Sequence, residues 1–312
     1  MRGAAYDEFG DAGVLRVRDD LAMPPVGPDT VLVRVRAAGV NPVDLGIRGG
    51  HLAGAFPHHF PIIPGWDVSG VVEAAGPAVT AFAPGDEVFG YVRRDDVQWG
   101  TTAEFVPAPQ RCLAHKPESL GFAEAGALPL AGLTAYQALT EALDIGEGDR
   151  VLVHRAAGGV GFFAVQIAVA LGAHVIGTAS PKNHGFLRDA GVAEVLDYAA
   201  GPISGQLPEP VDAVLDLVGG DTLADAPNQV RDPARIASVV DPGVLELGGR
   251  YVFVRPDTHD LEELARMADA GQLRVPIARA FDLDHVADAH ELLAGGHVRG
   301  KVVVTVSSPQ AQ

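Results

Sequence analysis

The chain has 312 residues, 47% hydrophobic and 20% charged, enough to bury a full core and to form about two domains. Forty acidic against 23 basic residues leave a formal charge of −17, which repels phosphate backbones and anionic membranes and argues against nucleic-acid binding. The single cysteine, Cys112, excludes an internal disulfide and a multi-cysteine zinc site, and no apolar run approaches the ~18 residues of a membrane helix.

Residues 1–13 carry Arg2, Asp7, Glu8 and Asp11 without an apolar run, so no signal or transit peptide is expected and a cytoplasmic location is. From Ala4 to about Ala108, short alternating runs such as Val31-Leu32-Val33-Arg34-Val35, broken by Gly-Pro, Asn-Pro and Pro-Gly pairs, predict a β-rich domain. From Ala123 to Leu143 the apolar spacing becomes helical, and it ends in the turn-rich Asp144-Ile145-Gly146-Glu147-Gly148-Asp149.

Beyond that turn, Val151 to His154 predicts a buried strand, Val160 to Leu171 a helix and His174 to Thr178 a second strand. The alternation continues with a helix from Lys182 to Asp189, strands near 194–196 and 211–216, a helix from Asp221, and strands near 236–240 and 250–254. A parallel sheet wrapped by helices is the expected result. The C-terminal part predicts a helix from Leu261 to Ala270, a strand from Arg274 to Phe281, a helix from Leu283 to Leu293 and an apolar strand from Val302 to Val306. These either extend the nucleotide-type domain or return to the first.

The stretch Ala156-Ala157-Gly158-Gly159-Val160-Gly161 lies between a predicted strand and a predicted helix. Glycines there let the backbone approach a pyrophosphate, and the helix amides and dipole stabilise its charge. Ala156 takes the first position of the G-x-G-x-x-G pattern, which alanine tolerates only at negative φ. About twenty residues further on, an NAD site places a carboxylate, whereas this chain reads Gly177-Thr178-Ala179-Ser180-Pro181-Lys182-Asn183. The Ser180 hydroxyl and Lys182 ammonium suit a 2′-phosphate, and one charge-assisted contact is worth roughly 1.5–3 kcal/mol, so NADPH is expected over NADH. Only three lysines, Lys116, Lys182 and Lys301, stand among the 23 basic residues.

Together with Ala37-Ala38-Gly39-Val40-Asn41-Pro42-Val43-Asp44, Ile63-Pro64-Gly65-Trp66-Asp67-Val68-Ser69-Gly70, Pro84-Gly85-Asp86-Glu87-Val88, Ala131-Gly132-Leu133-Thr134-Ala135-Tyr136, Asp216-Leu217-Val218-Gly219-Gly220 and Gly296-His297-Val298-Arg299-Gly300-Lys301-Val302, this turn carries a family resemblance. Nearly end to end, the chain resembles the zinc-free quinone oxidoreductase (zeta-crystallin-like) class of the medium-chain dehydrogenase/reductase superfamily. The resemblance implies an α/β protein with a GroES-like β-rich catalytic domain (1–122 and 257–312) and a Rossmann doubly wound parallel-sheet domain that binds NADPH (123–256). It also implies an active site in the cleft between them and a homodimer joined through the edge of the nucleotide-binding sheet.

Zinc-containing relatives have a cysteine where this chain has Asn41, a His-Glu pair at Trp66-Asp67 and a third ligand near Leu130, so no metal site is expected here. Without a Lewis acid, the suitable hydride acceptors are those that stabilise their own negative charge, namely quinones and α,β-unsaturated carbonyls. By resemblance Asn41, Asp44 and Thr134 form the catalytic set, with Asn41 and Thr134 near the nicotinamide. Gly158, Gly159, Val160 and Gly161 lie under the pyrophosphate, Ser180, Lys182 and Tyr198 around the 2′-phosphate, and Val218, Arg299 and Lys301 make further cofactor contacts. No tyrosine occurs from Leu45 to Leu52, which leaves Asp44, His51 or solvent as proton donor. Arg155 replaces the small residue usual before the turn, and either reaches the cofactor or points into solvent. Two other readings stand beside the quinone or enone reductase: an enoyl reductase of a polyketide-like intermediate, and a non-catalytic NADPH-binding protein.

Overall fold

The computed structural model describes residues 1–296 and 298–306. Contacts divide the chain into a first unit of residues 1–130, 256–269 and 275 onward, and a second unit of 131–255 and 270–274.

In chain order the first unit begins with β1 (Gly3–Ala5), β2 (Arg16–Arg18), β3 (Thr30–Val40), α1 (Pro42–Arg48), β4 (Asp67–Ala75), β5 (Glu87–Tyr91), β6 (Phe105–Pro109), β7 (Leu113–His115) and α2 (Phe122–Ala127). Its core is built from β-branched residues that suit a pleated sheet, among them Val31, Val33, Val35, Val68, Val72, Val88 and Val106. The packing of α2 on β3 and β4 keeps the chain in this unit to Leu130, past the expected boundary at 122. That approach depends on Gly39, because a Cβ there would stand 2.6 Å from the Gly126 carbonyl oxygen and 2.9 Å from the Asp67 carboxylate.

The chain passes into the second unit within α3 (Pro129–Gln137), followed by β8 (Arg150–Val153), α4 (Gly159–Ala170), β9 (His174–Thr178), α5 (His184–Arg188), β10 (Glu194–Leu196), β11 (Ala213–Asp216), α6 (Asp221–Ala224), β12 (Ile236–Ser238) and β13 (Arg250–Tyr251). Its sheet has the order β10-β9-β8-β11-β12-β13 with every pair parallel. Counted from β8, this is the doubly wound order 3-2-1-4-5-6, whose direction reverses between β8 and β11, where such sheets bind dinucleotides. α4 is apolar on all sides and buried along most of its length, as a helix inside such a fold must be. Two elements are shorter than their sequence pattern. Pro227 stands in the turn that follows α6 and halts it after one turn, and β13 is a two-residue edge strand.

The chain then returns to the first unit through α7 (Thr258–Asp269), β14 (Ile277–Asp282), α8 (Val286–Ala294) and β15 (Lys301–Thr305). β15 lies antiparallel to β3, with Val302 opposite Val40 and Val304 opposite Ala38. The full sheet runs β14-β15-β3-β4-β5-β7, with β6 also on β3. The run Val302-Val303-Val304 is completely buried, which explains why the last strand takes an interior position. No helix among the described residues is long and apolar enough to cross a membrane.

Leu152, at the centre of β8, packs in a cluster with Ile176, Val214 and Ile236. Leu152→Ala is expected to cost about 2–5 kcal/mol, read as a lower urea midpoint at an unchanged slope. An unshifted midpoint contradicts this packing.

Candidate active site

The glycine turn is built on the end of β8. Its backbone is stitched to the end of β9, with the Arg155 N–H donating to Thr178 Oγ1 at 3.1 Å and the Ala156 N–H donating to the Thr178 carbonyl at 3.0 Å. Buried His154 lies 2.9 Å from Gln229 through Nε2, and burial holds its pKa below the ordinary histidine value. The left-handed position of the turn falls on Arg155, at φ 50, and Ala156 stays outside that region as its Cβ requires. Gly158 caps α4 in an extended conformation without a side-chain bond, so the first amides of the helix carry no capping side chain. A Cβ on Gly161 would stand 2.4 Å from the Arg155 carbonyl oxygen, so only glycine lets the helix close on the strand. This cradle fits a dinucleotide pyrophosphate.

Of the other expected residues of this unit, Ser180, Lys182 and Tyr198 follow the carboxyl ends of the paired strands β9 and β10. Ser180 is half-buried, Lys182 is exposed and Tyr198 is 61% exposed. The Lys182 ammonium has no hydrogen bond or ion pair among the described residues, and no carboxylate occurs from 177 to 183. Val218 is 50% exposed after β11, its N–H donating to Asp216. Thr134 is buried on α3.

In the first unit the structure gathers four buried polar residues. Asn41 Nδ2 donates to Asp67 Oδ2 at 2.8 Å, and the Leu130 N–H donates to Asp67 Oδ1 at 2.7 Å. Lys301 Nζ donates to Asn41 Oδ1 and lies 3.8 Å from Asp67 Oδ2. The Asn41 N–H donates to Asp44 Oδ2 at 2.8 Å, the N3 carboxylate capping its own helix. Lys301 therefore departs from its expected role as an outer cofactor contact. It is 4% exposed and committed to Asn41 and Asp67, because β15 sinks into the sheet beside the end of β3. Arg299 remains at the surface beside Ala278 and Arg279, and His51 is exposed in the turn after α1.

Asp44 Oδ1 is buried with no hydrogen-bond partner among the described residues. Asp44 also lines a small cavity of about 10 Å³ with Trp66, Arg94 and Asp96, roughly the space of one water. Trp66 meets Phe56 and Tyr91 edge to face, each with ring centroids 5.9 Å apart. This aromatic run escaped the sequence reading, which looked for tyrosines directly after Asp44. The only signal available was Trp66, standing where relatives place a histidine.

Burial dominates the electrostatics of this cluster. It pushes Asp44 up to about 7, against its bond from Asn41, and pushes Asp67 up to about 6, against Lys301 and Asn41. Burial also lowers Lys301 against the pull of Asp67 and Asp44. Both folded carboxyls hold protons more tightly than unfolded ones do. They favour the fold below their ordinary value of 3.8, and that contribution is lost as pH rises through about 6 and 7. Asp44→Asn is therefore expected to flatten the fall in stability over this window, raising stability at pH 8 by on the order of 1–3 kcal/mol in urea titrations. Identical pH slopes for variant and wild type contradict this.

Residues 27–118 match the family model described as alcohol dehydrogenase GroES-like domain, and residues 190–304 the one described as zinc-binding dehydrogenase. The chain is 32% identical over 361 residues to NAD(P)H oxidoreductase RTN4IP1, mitochondrial, of Danio rerio, covering 100% of this chain and 93% of that protein. It is 33% identical over 313 residues to NADPH-dependent alkenal/one oxidoreductase, chloroplastic, of Arabidopsis thaliana, covering 97% and 79%. The solved quinone oxidoreductase from Coxiella burnetii superposes with a TM-score of 0.90 at 35% identity, covering 98% of this chain and 99% of that one. The chain thus belongs to the medium-chain dehydrogenase/reductase superfamily, among its quinone oxidoreductase-like members, and is an NAD(P)H-dependent oxidoreductase. The amide of Asn41, the indole of Trp66 and the alkyl side chain of Leu130 do not fit a zinc ion. Among the described residues no group of three His, Cys, Asp or Glu side chains is placed to hold a metal.

Proposed function

We propose that the protein reduces a quinone or an α,β-unsaturated carbonyl with NADPH and without a metal. The observation that carries this reading is the Lys301-Asn41-Asp67 network, built from Asn41 and Asp67 at positions where zinc relatives hold ligands and their partners. When bound, the nicotinamide supplies the hydride. Acceptors of this class delocalise the charge they gain over a phenolate or an enolate, so the protein's task is mainly to orient them and exclude water.

The chain's own residues suit that task. The Phe56-Trp66-Tyr91 run supplies a stiff apolar surface, and Trp66 shares the small cavity with Asp44. Burial lets Asp44 keep a proton into the neutral range, with its pKa pushed up to about 7, and its Oδ1 has no hydrogen-bond partner among the described residues. Asn41 and Thr134, each within its own unit, are assigned to the nicotinamide end. Ser180, Lys182 and Tyr198 are assigned to the 2′-phosphate, which a carboxylate would repel. The names of relatives support the acceptor class: an alkenal/one oxidoreductase, a 2-methylene-furan-3-one reductase of Solanum lycopersicum and a quinone oxidoreductase. A homodimer closed through the edge of the second unit's sheet belongs to the same reading. There β13 ends the sheet, and Leu245, Tyr251 and Phe253 are exposed.

The test follows loss of reduced-nicotinamide absorbance with benzoquinone and with a simple enone, using NADPH and NADH in parallel. The expected result is turnover with kcat/KM at least about tenfold higher for NADPH, and loss of that preference in Ser180→Ala/Lys182→Ala, mainly through KM. Equal use of both cofactors overturns the 2′-phosphate assignment. Binding of NADPH without oxidation across both acceptor classes favours a non-catalytic NADPH-binding protein.

A further inference from the structure

We infer that Arg155 is a phosphate-binding residue of the cofactor cradle, its guanidinium contacting the pyrophosphate admitted by the glycine turn. This rests on the dinucleotide reading of that turn but not on the choice between NADPH and NADH.

The first observation is where the side chain lies. Cγ and Nε of Arg155 stand 3.5 and 3.6 Å from the point a Cβ on Gly158 would occupy. The arginine stem thus runs along the open face of the turn, the face whose missing side chain lets a phosphate come close. The backbone beneath it is anchored by the Arg155 N–H on Thr178 Oγ1.

The second observation is that the guanidinium is uncommitted in a chain rich in carboxylates. Arg155 is exposed, and its side chain has no hydrogen bond or ion pair among the described residues. Arg150, Arg231 and Arg235 of the same unit are paired with Glu209, Asp212 and Asp149, whereas Arg188, also exposed and unpaired among the described residues, lies on α5 away from the turn.

The third is a charge requirement. The first turn of α4 presents backbone amides and no charged side chain to the anion. Lys182 follows β9 at the adenosine end, and Lys301 is held by Asn41 and Asp67 in the other unit. Arg155 is the cation that lies on the turn itself, and a guanidinium matches two phosphate oxygens at once. The sequence keeps this arginine at a left-handed φ of 50, where glycine is the easier choice.

The test compares wild type with Arg155→Gly and Arg155→Lys. Calorimetric Kd values are measured for NADPH, NADH and adenosine 2′-monophosphate, with the melting temperature of each cofactor-free protein. Arg155→Gly is expected to weaken NADPH and NADH by the same factor, about tenfold, while binding of the 2′-monophosphate is unchanged. Its melting temperature is expected to equal or exceed that of wild type, because glycine suits the left-handed backbone. Arg155→Lys should retain part of the affinity.

Wild-type affinity in Arg155→Gly overturns the inference. So does a loss confined to NADPH, which would move Arg155 to the 2′-phosphate, or a loss for all three ligands with a lowered melting temperature, which would make its role structural. Equal binding of NADPH and NADH by the wild type sinks the 2′-phosphate assignment alone, and an equal loss of both in Arg155→Gly then still supports Arg155.

Discussion

A fully buried carboxylate needs donors, and Asp67 organises the first unit by demanding them. It takes one from the Asn41 amide, one from the Leu130 backbone and a nearby charge from Lys301. Leaving such a group unpaired costs several kcal/mol, so the three partners are held in place together. Those partners lie at the N-cap of α1, just past α2 and at the start of β15, which ties the sequence-distant C-terminal strand to the N-terminal sheet. Gly39 makes the arrangement possible by leaving room for both α2 and the carboxylate.

The same constraint shapes the chemistry. Burial raises the Asp44 carboxyl by more than its Asn41 bond and the nearby Lys301 and Arg48 charges lower it, so it keeps its proton further up the pH scale than an ordinary carboxyl does. A buried carboxyl that titrates near neutrality, beside a water-sized cavity and an aromatic wall, suits an acceptor that needs a proton rather than a metal. In the second unit of a chain of net charge −17, Arg155 follows β8, Lys182 follows β9 and the first amides of α4 carry no capping side chain, which suits an anionic cofactor there.

Much of this was legible in the sequence where the signal is local. The β8, glycine turn, α4 and β9 run was readable because strand, turn and helix periods change within a short stretch. The absence of a carboxylate after β9 was readable for the same reason. What could not be read depends on contacts between distant residues or on backbone angles. Lys301 looked like a surface cofactor contact because nothing nearby announces its pairing with Asn41 and Asp67, more than two hundred residues earlier. The left-handed angle at Arg155 and the alignment of Phe56, Trp66 and Tyr91 are likewise properties of the folded chain. The pattern from 250 to 254 overstated β13, since apolar residues at a sheet edge look like those of an interior strand.

The central claim is that hydride transfer here runs without a metal because an amide, an indole and an alkyl group stand where related enzymes hold zinc. The direct measurement is the rate of NADPH-dependent acceptor reduction by protein stripped with a strong chelator, with its metal content verified by elemental analysis. The account predicts an unchanged rate that added zinc does not raise. Activity lost on stripping and restored by stoichiometric zinc would contradict it.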